Sequence, residues 1–346
     1  MFTRGTVLKR GLATAGSAIV ALAIAALLVP SSARAQSVSL RMQGFLPSAL
    51  STQKAFEEFA RVVNEKSGGK LVVHVLPVGG AVGVTETISA MQAGVLDGHH
   101  TCAVFHAAKE PGFGVLDTGP TFDTVEQRDR WFTEGDGVTL LRELYAQFGI
   151  HYVGNVFWQV EHIPSRKPLN GMADLKGLKI RVPPGLISDM LSKAGAAVVN
   201  IAGGDVFNAL QSGVIDATDW SSPSMNIDSG HHKAAKYSID ASHSLPACEI
   251  AVSKAKWDAI PADLKKLFEA EVRAMSAKVK DTILAADKAA LEKMKADGVQ
   301  VITWPKEEVA KLRAVTWEVQ DQFAARSPMA KKIVESLRSF QKKTAR

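Results

Sequence analysis

Apolar and polar positions along the chain repeat a strand–helix–strand order. Residues 38–45 alternate as a half-buried strand does, while the residues after Pro47 place apolar pairs at helical spacing. Further strands are predicted at 71–76, 101–105, 150–158, 178–182, 197–201, 215–220 and 249–253, and helices at 85–93, 124–148 (capped by Asp123), 185–194, 205–212 and 225–236. This order predicts an α/β fold with mostly parallel sheets.

One very long helix is predicted from Pro261 towards Ala296. Phe268, Val272 and Met275 step by three or four along one face. A helix on the order of 50 Å, at 1.5 Å per residue, outruns a single lobe, so we predict that it spans two lobes with a ligand cleft between them. The predicted lobes are residues 36–158 with about 247–285, and residues 159–246 with about 286–346. Amphipathic helices after Glu307 could pack on their own lobe or on a second subunit, which leaves a homodimer open.

The first 35 residues predict a cleaved signal peptide. Basic residues precede a small, apolar stretch at 11–30, and Ala33-Arg34-Ala35 fits the pattern that a signal peptidase reads. We place the cut before Gln36; the alternative is an uncleaved anchor. The mature protein is therefore predicted to work outside the cytoplasm.

Removing this leader changes the charge of the protein. The whole chain carries 41 basic and 35 acidic residues, a net charge of +6. Four basic residues and no acidic one lie in the leader, so the mature chain has 37 basic against 35 acidic residues, a net charge of about +2. Without a clustered basic stripe, we predict no nucleic-acid partner.

The two cysteines, Cys102 and Cys248, lie far apart in the sequence and in apolar surroundings. Export permits a disulfide, but two cysteines imply no framework of bridges. We interpret them as two buried free thiols.

No catalytic motif is visible in the sequence. The chain has no glycine-rich phosphate loop, no H-E-x-x-H, no C-x-x-C and no G-x-S-x-G. The paired histidines at 99–100 and 231–232 point apart on any regular element, so a shared metal is not expected. Binding without chemical change is the favoured interpretation.

Arg181 carries the strongest signal for binding. It ends a short apolar strand, and Pro183 and Pro184 follow directly. The carboxyl end of a strand faces the crevice in α/β folds, where a guanidinium can hold a carboxylate through two parallel hydrogen bonds. An ion-paired surface arginine is the alternative.

Oxygen-bearing residues end or begin three other strands. Asp219 and Trp220 end one strand, with one side chain expected in the cleft and the other residue contributing its carbonyl. Gln159 ends a second strand and Glu249 begins a third. Carboxylate, amide and carbonyl oxygens are ligands for a hard cation such as Na⁺ or Ca²⁺. Each residue alone could equally be a solvated strand end.

Several motifs in fixed order resemble the solute-binding (DctP-type) subunit of tripartite ATP-independent periplasmic (TRAP) transporters. They are residues 174–181 (DLKGLKIR), 209–220 (ALQSGVIDATDW), 232–237 (HKAAKY), 252–254 (VSK) and 257–261 (WDAIP). The resemblance implies a periplasmic protein with two lobes that close on a small organic acid and deliver it to membrane permease subunits.

Within that family the chain is most similar to binders of 2-oxo or 2-hydroxy monocarboxylates, such as pyruvate or lactate, held together with a cation. This likeness implies that Gln159, Arg181 and Trp220 bind the substrate. It implies that Gln159, Asp219, Trp220 and Glu249 surround the metal. Asp219 replaces the family's commoner glutamate, and residues 221–225 and 242–246 depart from the usual pattern, so the acid and the cation stay open.

Two other functions fit the same residues. A secreted enzyme could use Arg181 to hold a carboxylate and His243 or Glu249 as acid–base. A ligand sensor for a membrane receptor would have the same fold.

Overall fold

Two mixed β-sheets covered by helices form the part of the chain that the computed structural model describes, residues 37–345. The predicted leader and its cleavage site lie outside these residues. The strands are β1 (Val38–Gln43), β2 (Leu71–Leu76), β3 (Gly98–Cys102), β4 (Ile150–Val156), β5 (Ile163–Ser165), β6 (Lys179–Arg181), β7 (Ala197–Val199), β8 (Ala217–Thr218), β9 (Tyr237–Asp240), β10 (Cys248–Ser253) and β11 (Gln300–Thr303).

Thirteen α-helices accompany these strands in the described residues. They are α1 (Ser51–Lys66), α2 (Thr87–Gln92), α3 (Pro111–Gly114), α4 (Val125–Thr133), α5 (Gly137–Ala146), α6 (Leu186–Lys193), α7 (Val206–Ser212), α8 (Pro223–Asp228), α9 (His231–Ala234), α10 (Lys254–Ala259), α11 (Ala262–Ala296), α12 (Lys306–Arg326) and α13 (Pro328–Thr344). Within residues 37–345, no helix combines the length and apolarity needed to cross a membrane.

The strand order is β2-β1-β3-β10-β4 in the first sheet and β11-β9-β5-β8-β6-β7 in the second. The α/β class is confirmed, but the expectation of mostly parallel sheets is wrong at two strands. β10 runs antiparallel to β3 and β4, and β5 runs antiparallel to β8 and β9. Each is reached directly from a strand of the other sheet without a helix between them, whereas β11, which is reached through α10 and α11, pairs parallel with β9.

Two predicted helices are broken by glycine. Residues 124–148 form α4 and α5, separated around Gly135, and residues 225–236 form α8 and α9, separated at Gly230 with a φ of 76°. Glycine disfavours helix interiors because it loses the most backbone entropy on ordering. The cap of α4 is Thr124, whose side chain accepts a hydrogen bond from the backbone of Gln127, and not Asp123 as predicted.

The long helix α11 has 35 residues and contacts both sheets, which confirms the prediction that it spans both. Its N-terminal half buries Phe268 and Val272 in the core of the first sheet. Further along, Asp287 accepts hydrogen bonds from Ser222 and Ser224 beside α8. The C-terminal helices contact helices of both predicted lobes: α12 packs on α6, and α13 packs on α3, α4 and α5. The exact lobe boundaries stay a prediction.

Arg128, on α4, links the connections between the two sheets. The chain crosses between the sheets from β4 to β5, from β9 to β10, and through α10 and α11 to β11. The buried Arg128 guanidinium donates to the carbonyl of Trp158 in the first connection (2.7 Å) and to that of Pro246 in the second (3.0 Å). Asp129 accepts from Arg128 Nε at 2.9 Å and lies 3.8 Å from Lys280 Nζ on α11.

Cys102 and Cys248 form a disulfide, so the interpretation as free thiols is wrong. The reason is the register of the first sheet: β3 and β10 pair antiparallel with these two residues directly opposite each other. A separation of 146 residues in sequence becomes adjacency across one pair of strands.

We expect the Cys102→Ser/Cys248→Ser double variant to lose about 2–4 kcal/mol of unfolding free energy, because the bridge restricts the unfolded chain. Urea denaturation of the oxidised wild type and the variant measures the difference. Reduced wild type is the control and is expected to unfold near the variant's midpoint. Identical midpoints for oxidised and reduced wild type would show that the bridge contributes no stability.

Candidate functional site

A cleft of about 570 Å³ is lined by residues from the parts of the chain that form the first sheet and from those that form the second. The second sheet contributes the ends of two neighbouring parallel strands, β6 and β8, where Arg181 lies opposite Thr218. Because both strands end at the same edge, Arg181 and the two residues after Thr218 meet there. The structure thus brings Arg181, Asp219 and Trp220 together in the cleft wall.

The Arg181 guanidinium is held on two sides. Its Nε donates to the carbonyl of Ile201 (3.2 Å), and its Nη1 donates to the carbonyl of Asp219 (3.1 Å). Nη2 donates to no residue in the described part of the chain. Burial lowers the pKa of Arg181, while Asp219 and Glu161 act in the opposite direction; an arginine keeps its charge in either case. The group is a fixed cation that keeps both N–H groups of Nη2 and one of Nη1 for a ligand.

Trp220 covers the guanidinium. Its ring lies 5.4 Å from Arg181 Cζ, and its Nε1 donates to Ser229 Oγ at 3.0 Å. His231 packs edge-on against the same ring at 4.7 Å. Asp219 and Trp220 both line the cleft, although strand alternation predicted only one of them there. β8 ends at Thr218, so the alternation does not continue to these residues.

Asp219 is buried and paired with His243. His243 Nε2 lies 2.8 Å from Asp219 Oδ1. Burial acts to raise the pKa of Asp219, but the hydrogen bond from His243 and the nearby Arg181 outweigh it and lower that pKa. Asp219 is therefore a carboxylate at neutral pH.

Three further acids line the cleft and were missed from the sequence: Asp228, at the end of α8, and the pair Asp117 and Glu161. Ser244 Oγ lies 2.9 Å from Asp117 Oδ2 and 2.7 Å from Glu161 Oε2. A hydroxyl carries one proton, so it can donate to only one of these carboxyls, and the other must be protonated to complete the pair. In agreement, burial and the neighbouring Asp219 raise the pKa of Asp117 to about 7 and that of Glu161 well above its usual range.

Neither Asp117 nor Glu161 lies in a segment whose apolar residues repeat with the spacing of a helix or a strand. Asp117 lies in an irregular stretch between α3 and α4, and Glu161 lies in the connection from β4 to β5. The position of Glu161 two residues after Gln159 is the one signal that could have drawn attention to it.

The structure does not bring Gln159 and Glu249 to the cleft lining. Gln159 lies in the connection after Trp158, and its Oε1 accepts from the backbone of Val160 at 2.9 Å. Glu249 follows Cys248, whose disulfide partner Cys102 lines the cleft, so the pleat turns Glu249 to the opposite face of the sheet. There it is fully buried and accepts from Tyr145 on α5 at 2.7 Å.

No preformed metal cage is present in residues 37–345. Among them, no group of three or more His, Cys, Asp or Glu side chains is arranged to hold a metal ion. Asp219 supplies a carboxylate at the cleft, the kind of oxygen ligand that a hard cation takes. Chemically, the site offers one fixed cation, the Asp219 carboxylate, the Asp228 carboxyl and an acid pair, Asp117 and Glu161, that holds at least one proton.

Two α/β lobes joined by a long helix, with a charged anchor in the cleft, are the features of a solute-binding protein. The family model described as bacterial extracellular solute-binding protein, family 7 (DctP), matches residues 44–327. The chain belongs to this family, whose members bind the substrates of TRAP transporters.

Individual relatives agree with this assignment. A monocarboxylate 2-oxoacid-binding periplasmic protein of Nostoc sp. is 24% identical over 309 residues, which cover 88% of this chain and 84% of that protein. A TRAP periplasmic solute binding protein from Rhodobacter sphaeroides, solved in an apo open form, is 33% identical with a TM-score of 0.73, covering 88% and 98% of the two chains. One from Colwellia psychrerythraea, solved with bound calcium and pyruvate, is 25% identical with a TM-score of 0.81, covering 89% and 95%.

Proposed function

We propose that this protein captures a small 2-oxo or 2-hydroxy monocarboxylate in the periplasm and delivers it to the membrane permease of a TRAP transporter. The observation that carries the proposal is the Arg181 guanidinium, fixed at the end of β6 with Nη2 unengaged beside the cleft. The names of the Nostoc relative and of the pyruvate-bound neighbour support this class of acid.

In this proposal, Arg181 holds the carboxylate and Trp220 covers it. Asp219 supplies a cation ligand, with the Trp220 carbonyl and the acid's own oxygens completing the shell around Na⁺ or Ca²⁺. Glu249 and Gln159 are left out, since their side chains do not line the cleft. The cation adds no chemistry beyond charge: it joins the acid's oxygens to Asp219.

A thermal-shift screen of small carboxylates tests the function. A ligand that binds only the folded protein raises the melting temperature by mass action. We expect 2-oxo and 2-hydroxy monocarboxylates to raise it in the presence of Ca²⁺ or Na⁺. If no carboxylate raises it under either condition, the proposed function is wrong.

Cation dependence is a separate expectation. Because a cation shell here requires the acid's oxygens, removing Ca²⁺ with a chelator in sodium-free buffer is expected to weaken binding of the acid at least tenfold. Calorimetry of Ca²⁺ alone is expected to show no binding, and Ca²⁺ with the acid is expected to bind. Equal affinity for the acid with and without the cation would remove the metal from the proposal.

A further inference from the structure

The part of the cleft that residues 45–105 line is apolar throughout. Ten residues between Phe45 and Phe105 line the cleft, and none of them carries a charged or hydrogen-bonding side chain. Leu50 and Val104 belong to one apolar cluster with Trp158, and Phe45 packs against it. Arg181, by contrast, stands on the second sheet. The head and the body of a bound molecule therefore meet walls of different chemistry.

The charges in the cleft admit only one carboxylate. Arg181 is the single lysine or arginine among the lining residues, and the acids there are Asp117, Glu161, Asp219 and Asp228. The remaining basic side chain, His231, is neutral at pH 7, because burial lowers its pKa to about 4. A second carboxylate on the ligand would find no second lysine or arginine in the lining.

We infer that the preferred substrate is a monocarboxylate with an apolar body, an aliphatic 2-oxo or 2-hydroxy acid longer than pyruvate, and not a dicarboxylate or a sugar acid. This inference rests on the proposed function at Arg181 and narrows its substrate class. The cleft, at about 570 Å³, lies within the range of roughly 300–1,000 Å³ that holds larger ligands than pyruvate. Sugar hydroxyls would lose their water partners against the apolar wall.

A chain-length series measures the effect of the apolar wall. Calorimetric titration in Ca²⁺ buffer compares pyruvate, 2-oxobutyrate, 2-oxovalerate and 4-methyl-2-oxovalerate. Each methylene that leaves water for the wall is expected to tighten binding about three- to fourfold. The matched control ligand is 2-oxoglutarate, which has the five carbons of 2-oxovalerate and a second carboxylate. We expect it to bind at least about 100-fold more weakly than 2-oxovalerate.

One pair of variants tests the wall directly. Val104→Thr replaces a methyl group by a hydroxyl of similar size and is expected to lower affinity for 2-oxovalerate at least threefold, and affinity for pyruvate by less. Val214→Thr is the matched control, because Val214 is 60% exposed and lies outside the cleft lining; it is expected to change neither affinity.

The outcomes separate the inference from the proposed function. If pyruvate binds most tightly, or if 2-oxoglutarate binds as well as 2-oxovalerate, the inference is overturned and carboxylate capture stands. If no acid of the series binds, both are overturned.

Discussion

Replacing Arg181 by alanine is expected to weaken binding of the cognate acid by more than about 100-fold. Each charge-assisted hydrogen bond to a carboxylate contributes about 1.5–3 kcal/mol, and a guanidinium can make two in parallel. Loss of both corresponds to at least two powers of ten in affinity. Calorimetry with an acid from the thermal-shift screen measures the change, and a variant that keeps affinity within threefold of wild type would refute the anchor.

Three controls accompany the Arg181→Ala variant. Arg181 also donates to the carbonyls of Ile201 and Asp219, so the far-UV spectrum and melting temperature of the variant must accompany its affinity. Arg181→Lys keeps the positive charge but lacks the two parallel N–H donors of the guanidinium, and it is expected to bind the acid about tenfold more weakly than wild type. Arg166→Ala removes an exposed arginine outside the cleft lining and is expected to bind normally.

Replacing Arg128 by methionine is expected to cost about 2–6 kcal/mol of unfolding free energy. The variant removes the donors of the buried Trp158 and Pro246 carbonyls, and each buried group left unpaired costs about 1–3 kcal/mol. Methionine keeps the length and fills the space of the aliphatic stem. Urea denaturation at constant pH measures the loss.

Arg130→Met provides the matched comparison. It lies on the same helix, is exposed, and pairs with Glu134 alone among the described residues, so its loss is expected to leave the urea midpoint close to that of wild type. Arg128→Lys can keep one of the two carbonyl contacts and is expected to lie between wild type and the methionine variant. If Arg128→Met is as stable as Arg130→Met, the guanidinium does not support the connections between the sheets.

The site residues that lie at strand ends could be predicted from the sequence. Arg181 ends one strand and Asp219 directly follows another, both of which the apolar pattern already identifies, and adjacent parallel strands end at the same edge of a sheet. The closeness of Arg181 and Asp219 therefore follows from the assignment of the two strands alone. Asp117, Glu161 and Arg128 could not be found in this way, since an irregular segment or a helix face does not reveal which carbonyl or carboxyl it will contact.

For Glu249, the sequence identified the strand but not the direction of the side chain. The sequence places it correctly near the start of a strand, but the side of the sheet that it faces depends on the phase of the pleat. A shift by one residue exchanges the two faces. The disulfide shows that phase, because Cys248 points to the cleft side with Cys102 and its neighbour must point away.

The sequence by itself determined the α/β class, the long helix, the order of most elements and the arginine at the end of β6, because these follow from short-range periodicity and composition. The tertiary structure alone decided the Cys102–Cys248 bridge, the antiparallel strands β5 and β10, and the acid pair beside Ser244. It also decided that Glu249 faces away from the cleft. Each of these depends on register and on contacts between residues that are distant in the chain, which local patterns do not encode.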